Sequence, residues 1–319
     1  MTIQMQIPPK PAIKIAILKT PGAQLSAVYG LADLFQLLTR LSPDPGQPCK
    51  VDVHILDQDM LDERPLDAFI FPPSIDDIPA TAQSPFVDWA RARHQQGVLT
   101  CSVCAGAFWL GHCGVLDHRP ATTHWALETQ FRTAFPQVDL QTDHILVDDH
   151  NVITAGGLMA WIDLGLFLTR SWFGPDMVSQ MARHLLIDPA GREQRHYSGF
   201  RPNRTHGDAP VLKVQRHIET RFSEPLPSND LATIAGLSPR TFLRRFGTAT
   251  GYSPAIYVQN LRIEKARGAL ERSGDSTAQI AWSVGYQDIS AFLRMFKSIT
   301  GLTPGAYHGR FRVSNRPQP

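Results

Sequence analysis

One stretch of this chain occurs twice. Phe242, Leu243, Arg244, Phe246, Thr250, Gly251, Pro254 and Tyr257 recur as Phe292, Leu293, Arg294, Phe296, Thr300, Gly301, Pro304 and Tyr307, always fifty residues later. Eight identities in sixteen positions, all in one register, mark a duplicated structural unit. A repeat that short cannot bury its own core, so the two copies are expected to fold as paired helical units.

Each copy has the grammar of a helix, a sharp turn and a second helix. In the first, Ser228 is the expected cap of a short helix carrying Leu231, Ile234 and Ala235, and Gly236 supplies the turn. Ser238 caps the next helix, with Pro239 at its first position. Phe242 and Phe246 then share one helical face, which turns Arg240, Thr241 and Arg244 outward. In the second copy, Ile280 and Val284 precede Gly285, and Asp288 is the expected cap. Phe292 and Phe296 are the inward anchors, and Ser290, Ala291, Arg294 and Lys297 face out. Two recognition helices joined by a helix over residues 253–270 suit successive major grooves of double-stranded DNA, about 34 Å apart. Arginines at such positions can fork onto guanine edges, and Lys265, Arg267 and Lys297 are expected to meet phosphate.

Charge supports that reading. Residues 205–319 hold 15 Lys/Arg against 8 Asp/Glu, whereas the first 204 residues carry a net of −5. A basic end on an acidic body fits a phosphate-bearing partner.

These residues resemble the AraC/XylS regulators over roughly 210–311. The segment from Gly285 to Lys297, followed by Gly301, Leu302, Thr303 and Pro304, is similar to that family's signature. Leu243 and Ile289 depart from it, since many members carry polar residues there. The resemblance implies an all-α DNA-binding domain with two helix-turn-helix units.

The chain before residue 196 has a different texture. Apolar runs at 13–18, 51–56, 68–71, 98–103 and 151–155 read as strands, and helical patterns lie at 24–40, 86–96, 105–112 and 159–172. The alternation predicts an α/β domain, with a mostly parallel sheet and helices on both faces. Residues 196–210, rich in Gly, Pro, Ser and Asn, read as a linker. The expected division is therefore a first domain over 1–195, a linker over 196–210 and a DNA-binding domain over 211–319.

Within the first domain, Cys104 sits at a strand-to-helix junction among small neighbours, Ala105, Gly106 and Ala107. A tight elbow there exposes a nucleophile at the C-terminal edge of the sheet, where open α/β sheets bind ligands. A helix N-terminus at that point is expected to lower the thiol pKa. This region resembles the flavodoxin-like, class I glutamine-amidotransferase-like domain of the ThiJ/PfpI group. Its markers are residues 104–107, Thr122-Thr123-His124-Trp125 and Ile153-Thr154-Ala155-Gly156-Gly157. Fused ahead of an AraC-type end, it is similar to the GlxA-type subfamily.

The resemblance makes Cys104 a former nucleophile and His124 its neighbour. Enzymatic members carry a carboxylate early in the first helix, but residues 22–27 contain none, and PfpI-type proteases follow the cysteine with histidine where this chain has Ala105. A nucleophile without an oriented base is not a working catalyst. The expected role is a small-molecule pocket lined by Cys104, His124, Trp125 and Trp109, with no catalytic residue. The alternative is a cysteine-dependent hydrolase or amidase with a DNA-binding tail.

Four cysteines (Cys49, Cys101, Cys104, Cys113) give only one Cys-x-x-Cys pair, so reduced thiols are expected, with no metal and no cofactor. Neither a secretory pattern in residues 1–10 nor a long apolar run is present, so the expected setting is cytoplasmic with no membrane partner. The expected partners are promoter DNA, a small-molecule effector, RNA polymerase and a second copy of the chain. The resemblance further implies an activator of catabolic genes.

Overall fold

Residues 15–18, 68–71 and 152–155, each run within a strand, are buried at every position, and that dictates a sheet covered on both sides. In the computed structural model, which describes residues 12–42, 50–76, 81–189 and 192–312, β1 (Ile13–Leu18) sends Ile15 and Ile17 into one core and Ala16 and Leu18 into another. Cys49 and residues 1–10 lie outside the described residues. The packing divides the chain into two units, Met1–Gln194 and Arg195–Pro319.

The first unit runs β1, α1 (Leu25–Leu41), β2 (Val51–Leu56), β3 (Ala68–Phe71), α2 (Pro85–Gln95), β4 (Leu99–Val103) and α3 (Gly106–Cys113). There follow β5 (Pro120–Ala121), α4 (Glu128–Ala134), β6 (Asp139–Leu140), β7 (Leu146–Asp149), β8 (Val152–Ala155), α5 (Trp161–Phe173) and α6 (Pro175–Leu185). The main sheet has the order β2-β1-β3-β4-β8-β7. Every pairing is parallel except β7 with β8. This is the doubly wound, flavodoxin-like order, extended at one edge by an antiparallel strand. Helices α1, α5 and α6 pack with Phe35, Leu38, Leu164 and Met181 on one face. Helices α2 and α3 fill the other with Phe86, Phe108 and Trp109.

The periodicity of the sequence located five of these strands and four of the helices. It did not show β5, β6, β7, α4 or α6. The first two strands have two residues each, and α6 follows α5 after the single residue Gly174, beyond the end of the helical pattern at 159–172.

The second unit is all helical: α7 (Ala209–Arg221), α8 (Ser228–Ala235), α9 (Pro239–Thr250), α10 (Pro254–Arg272), α11 (Thr277–Ser283), α12 (Ile289–Thr300) and α13 (Pro304–Phe311). It contains two cores. Phe242, Phe246, Tyr257 and Ile218 centre the first, and Phe292, Phe296, Tyr307 and Ile280 centre the second. Helix α10 contributes to both, through Tyr257 and Leu261 to one and Ile263, Ala266 and Leu270 to the other. No helix among the described residues is long and apolar enough to cross a membrane.

Candidate functional site

The caps set where each recognition helix begins. Ser238 accepts from the Thr241 N–H at the start of α9, and Asp288 accepts from the Ser290 N–H at 2.8 Å at the start of α12. Ser228 does not cap α8. Pro227 holds the cap position without a side-chain bond, and Ser228 is already helical. The preceding turns need Gly236 and Gly285 at φ 67° and 88°. At Gly285 a Cβ would also lie 2.4 Å from the Ser223 carbonyl oxygen, so the turn presses against backbone.

Phe242 and Phe246, and likewise Phe292 and Phe296, are fully buried. Helical spacing then fixes what points out. Arg240 and Arg244 are exposed on α9, with Thr241 half-buried. Ser290, Arg294 and Lys297 are exposed on α12, with Ala291 half-buried. Lys265 is also exposed, its ammonium 5.6 Å from the Phe222 ring centroid.

Arg267 corrects the sequence reading. It was expected to meet phosphate, but its side chain is buried. It donates to the Ser198 carbonyl and, at 2.9 Å, to the Arg195 carbonyl. Residues Ser198 and Phe200, within the expected linker, are therefore held against α10. Glu264 accepts from the Phe200 N–H at 3.0 Å, and the Phe200 ring packs 5.0 Å from Tyr257. The signal was missed because an arginine on an otherwise amphipathic helix gives no sequence cue that its target is a carbonyl nearly seventy residues away.

In the first unit, Cys104 has a φ of 55°, the strained conformation of a nucleophile elbow. Its N–H donates to the Ala155 carbonyl at 2.7 Å, and its carbonyl accepts from the Thr123 hydroxyl at 2.8 Å. The thiol is buried, and burial pushes its pKa up to about 11. The N–H groups of Ala105 and Gly157 act in the opposite sense but do not prevail. The helix N-terminus thus fails to make the low-pKa thiol expected from sequence, because desolvation outweighs it. Burial also raises Cys113, to about 12, and Cys101 further still.

His124 is half-buried, and its Nδ1 accepts from the Ala126 N–H at 3.0 Å, capping a single turn. Its ring lies 5.4 Å from Trp125. Trp109 is elsewhere. It is buried in the core on the other face of the sheet, stacked 5.7 Å from Phe71 and edge-on to Phe86 at 5.8 Å. It is a core residue, not a lining of the Cys104 region, because α3 turns it away from the elbow.

Gln194 is the residue that the sequence reading missed. Its buried amide donates to the carbonyls of Thr123 at 2.8 Å and His144 at 2.9 Å and to the Thr122 hydroxyl at 3.0 Å, and accepts from the Trp125 N–H. It rests on Gly156, where a Cβ would collide with the amide at 1.9 Å. The Gly156-Gly157 doublet was the available signal, but nothing in it named the glutamine.

Comparison with known proteins gives this geometry a context. Residues 231–310 match the helix-turn-helix domain family of AraC type, and residues 77–170 match the DJ-1/PfpI family. The HTH-type transcriptional regulator GlxA of Rhizobium meliloti (strain 1021) is 28% identical over 235 residues, covering 70% of this chain and 72% of that protein. The chain is a DNA-binding transcription regulator that joins a DJ-1/PfpI domain to an AraC-type end. The HTH-type transcriptional regulator CdhR of Pseudomonas aeruginosa resembles this regulator at 26% identity over 229 residues, 71% of this chain and 68% of that protein. An enzyme also resembles the regulator in part. Isonitrile hydratase of Pseudomonas putida is 31% identical over 147 residues, 44% of this chain and 62% of that enzyme.

Proposed function

We propose that this regulator reads promoter DNA through α9 and α12 and senses a small metabolite in its first unit. One observation carries the DNA-contact assignment. Arg240 and Arg244 stand exposed over one aromatic core, and Arg294 and Lys297 over its repeat fifty residues on. Cationic side chains fixed by buried anchors present donors to base edges and phosphates without loss of helix structure. Arg240, Thr241, Arg244, Ser290, Ala291 and Arg294 are assigned to base edges, and Lys297 to phosphate.

Residues 1–195 are assigned to sensing and to pairing with a second copy, and residues 211–319 to DNA. Cys104, His124 and Trp125 are the assigned lining of the effector site. Effector binding acts by favouring one of two arrangements, which requires unequal affinity for them. Activation of catabolic genes through RNA polymerase is the assigned output.

The test uses the full chain. A sequence is selected from random duplexes, and its affinity is measured as salt is varied. A specific complex that weakens steeply with salt supports the reading, and no complex at low salt overturns it. Metabolites that raise the melting temperature would identify the effector class.

The second reading, a cysteine-dependent enzyme, draws on the elbow conformation of Cys104 and the likeness to isonitrile hydratase. It competes poorly with a thiol held near 11, since the thiolate is the nucleophile. Turnover of small amides or isonitriles that disappears in Cys104→Ala would establish it.

A further inference from the structure

Among the described residues of the second unit, the exposed leucines are Leu243 and Leu293, 45% and 40% exposed. Neither belongs to either core of that unit. Each is the fifth residue of its recognition helix, immediately before Arg244 and Arg294. Fold stability does not account for them, because an apolar side chain left in water contributes little to the folded state. What the two share is their place in the repeat, beside the outward arginines and within the N-terminal part of a helix that enters a groove.

On such a face, in a major groove, a base pair offers one apolar group, the C5-methyl of thymine. We propose that Leu243 and Leu293 are specificity-determining residues that each cover a thymine methyl, one in each half of the operator. The proposal rests on the assignment of α9 and α12 as the DNA-reading helices. It predicts a thymine at an equivalent position in two half-sites whose centres lie about 10–10.5 base pairs apart. Arg244 and Arg294 then act on neighbouring bases, so each half-site pairs an apolar with a charged contact.

The test begins with the operator selected by the full chain, which decides the DNA-reading assignment by itself. Each thymine is then replaced singly by deoxyuridine, which removes the methyl and leaves base pairing intact. One position in each half-site is expected to lose about fourfold in affinity, the worth of one buried methyl-sized group. The loss in one half should vanish in Leu243→Ala and the loss in the other in Leu293→Ala. As an independent readout, selection repeated with Leu243→Gln should replace that thymine by adenine, which glutamine can grip through two hydrogen bonds. A selected operator in which no deoxyuridine substitution matters, or in which the loss persists in both alanine variants, overturns the proposal while leaving the DNA-binding assignment standing. The leucines would then serve a surface other than DNA.

Discussion

Arg267 donates to the backbone carbonyl of Arg195 at 2.9 Å, across 72 residues of sequence. A second arm of the same guanidinium reaches the Ser198 carbonyl, and the Arg267–Tyr307 ring distance is 5.6 Å. One buried cation thus fixes the start of the second unit to α10, the helix shared by both cores.

Replacing Arg267 by methionine takes the guanidinium from two carbonyls and, among the described residues, leaves that of Arg195 with only the Ser198 hydroxyl at 3.3 Å. We expect a loss of about 2–4 kcal/mol from the second unit, the usual cost of breaking a buried charged network. Urea denaturation of a 195–319 fragment would measure it. A fragment beginning at 205 should already lack the two carbonyl bonds while keeping Glu264 and Tyr307 beside Arg267, so an equally large loss from Arg267→Met within the shorter fragment would contradict the assigned cause.

Arg294 and Lys297 lie one helical turn apart but should differ in effect. Arg294→Ala is expected to cost about 1–3 kcal/mol at the selected operator and to relax one base position. Lys297→Ala should weaken all duplexes alike and reduce the salt dependence by about one ion. Binding isotherms on matched and mismatched operators distinguish the two patterns. Unchanged operator affinity in Arg294→Ala would mean that α12 is not a reading helix.

The buried thiols make a pH prediction. Cys104 is raised to about 11 in the folded chain and returns to an ordinary value when unfolded. Between those values the unfolded state has lost a proton that the folded state keeps. Stability from this group is therefore complete below about pH 8.5, the ordinary thiol value, and falls as pH rises toward 11. Denaturation midpoints at pH 7.5 and pH 10 should show the fall, smaller in Cys104→Ala. Alkylation by iodoacetamide at pH 7.5 should be much slower in the folded than in the unfolded protein.

Asp208 caps α7, accepting from the Val211 N–H at 3.1 Å, and takes a bidentate grip from Arg245 at 2.8 Å on each oxygen. The Arg245 guanidinium holds the carboxyl below its usual range. Its contribution is present above the ordinary carboxylate pKa and is lost as pH falls through the lowered one. Asp208→Asn retains a capping oxygen, whereas Asp208→Ala should cost about 1 kcal/mol of cap. Thermal melts at pH 7 and pH 3 would show a smaller acid loss in both variants than in the parent chain.

Periodicity and repetition determined a good deal here. The fifty-residue duplication, the Ser238 and Asp288 caps and the spacing of Phe242, Phe246, Phe292 and Phe296 fixed two helix-turn-helix units and the faces that they expose. Apolar runs bounded by turns fixed β1 to β4 and β8 and hence a parallel sheet. These features are local, so neighbouring residues suffice to specify them. Tertiary structure decided what depends on distant partners. It sent Arg267 to a carbonyl rather than to solvent, put Trp109 in the opposite core from Cys104, seated Gln194 on Gly156 and raised the Cys104 thiol by desolvation. Burial and long-range hydrogen bonding reverse the chemistry of a side chain without leaving a mark in the residues beside it.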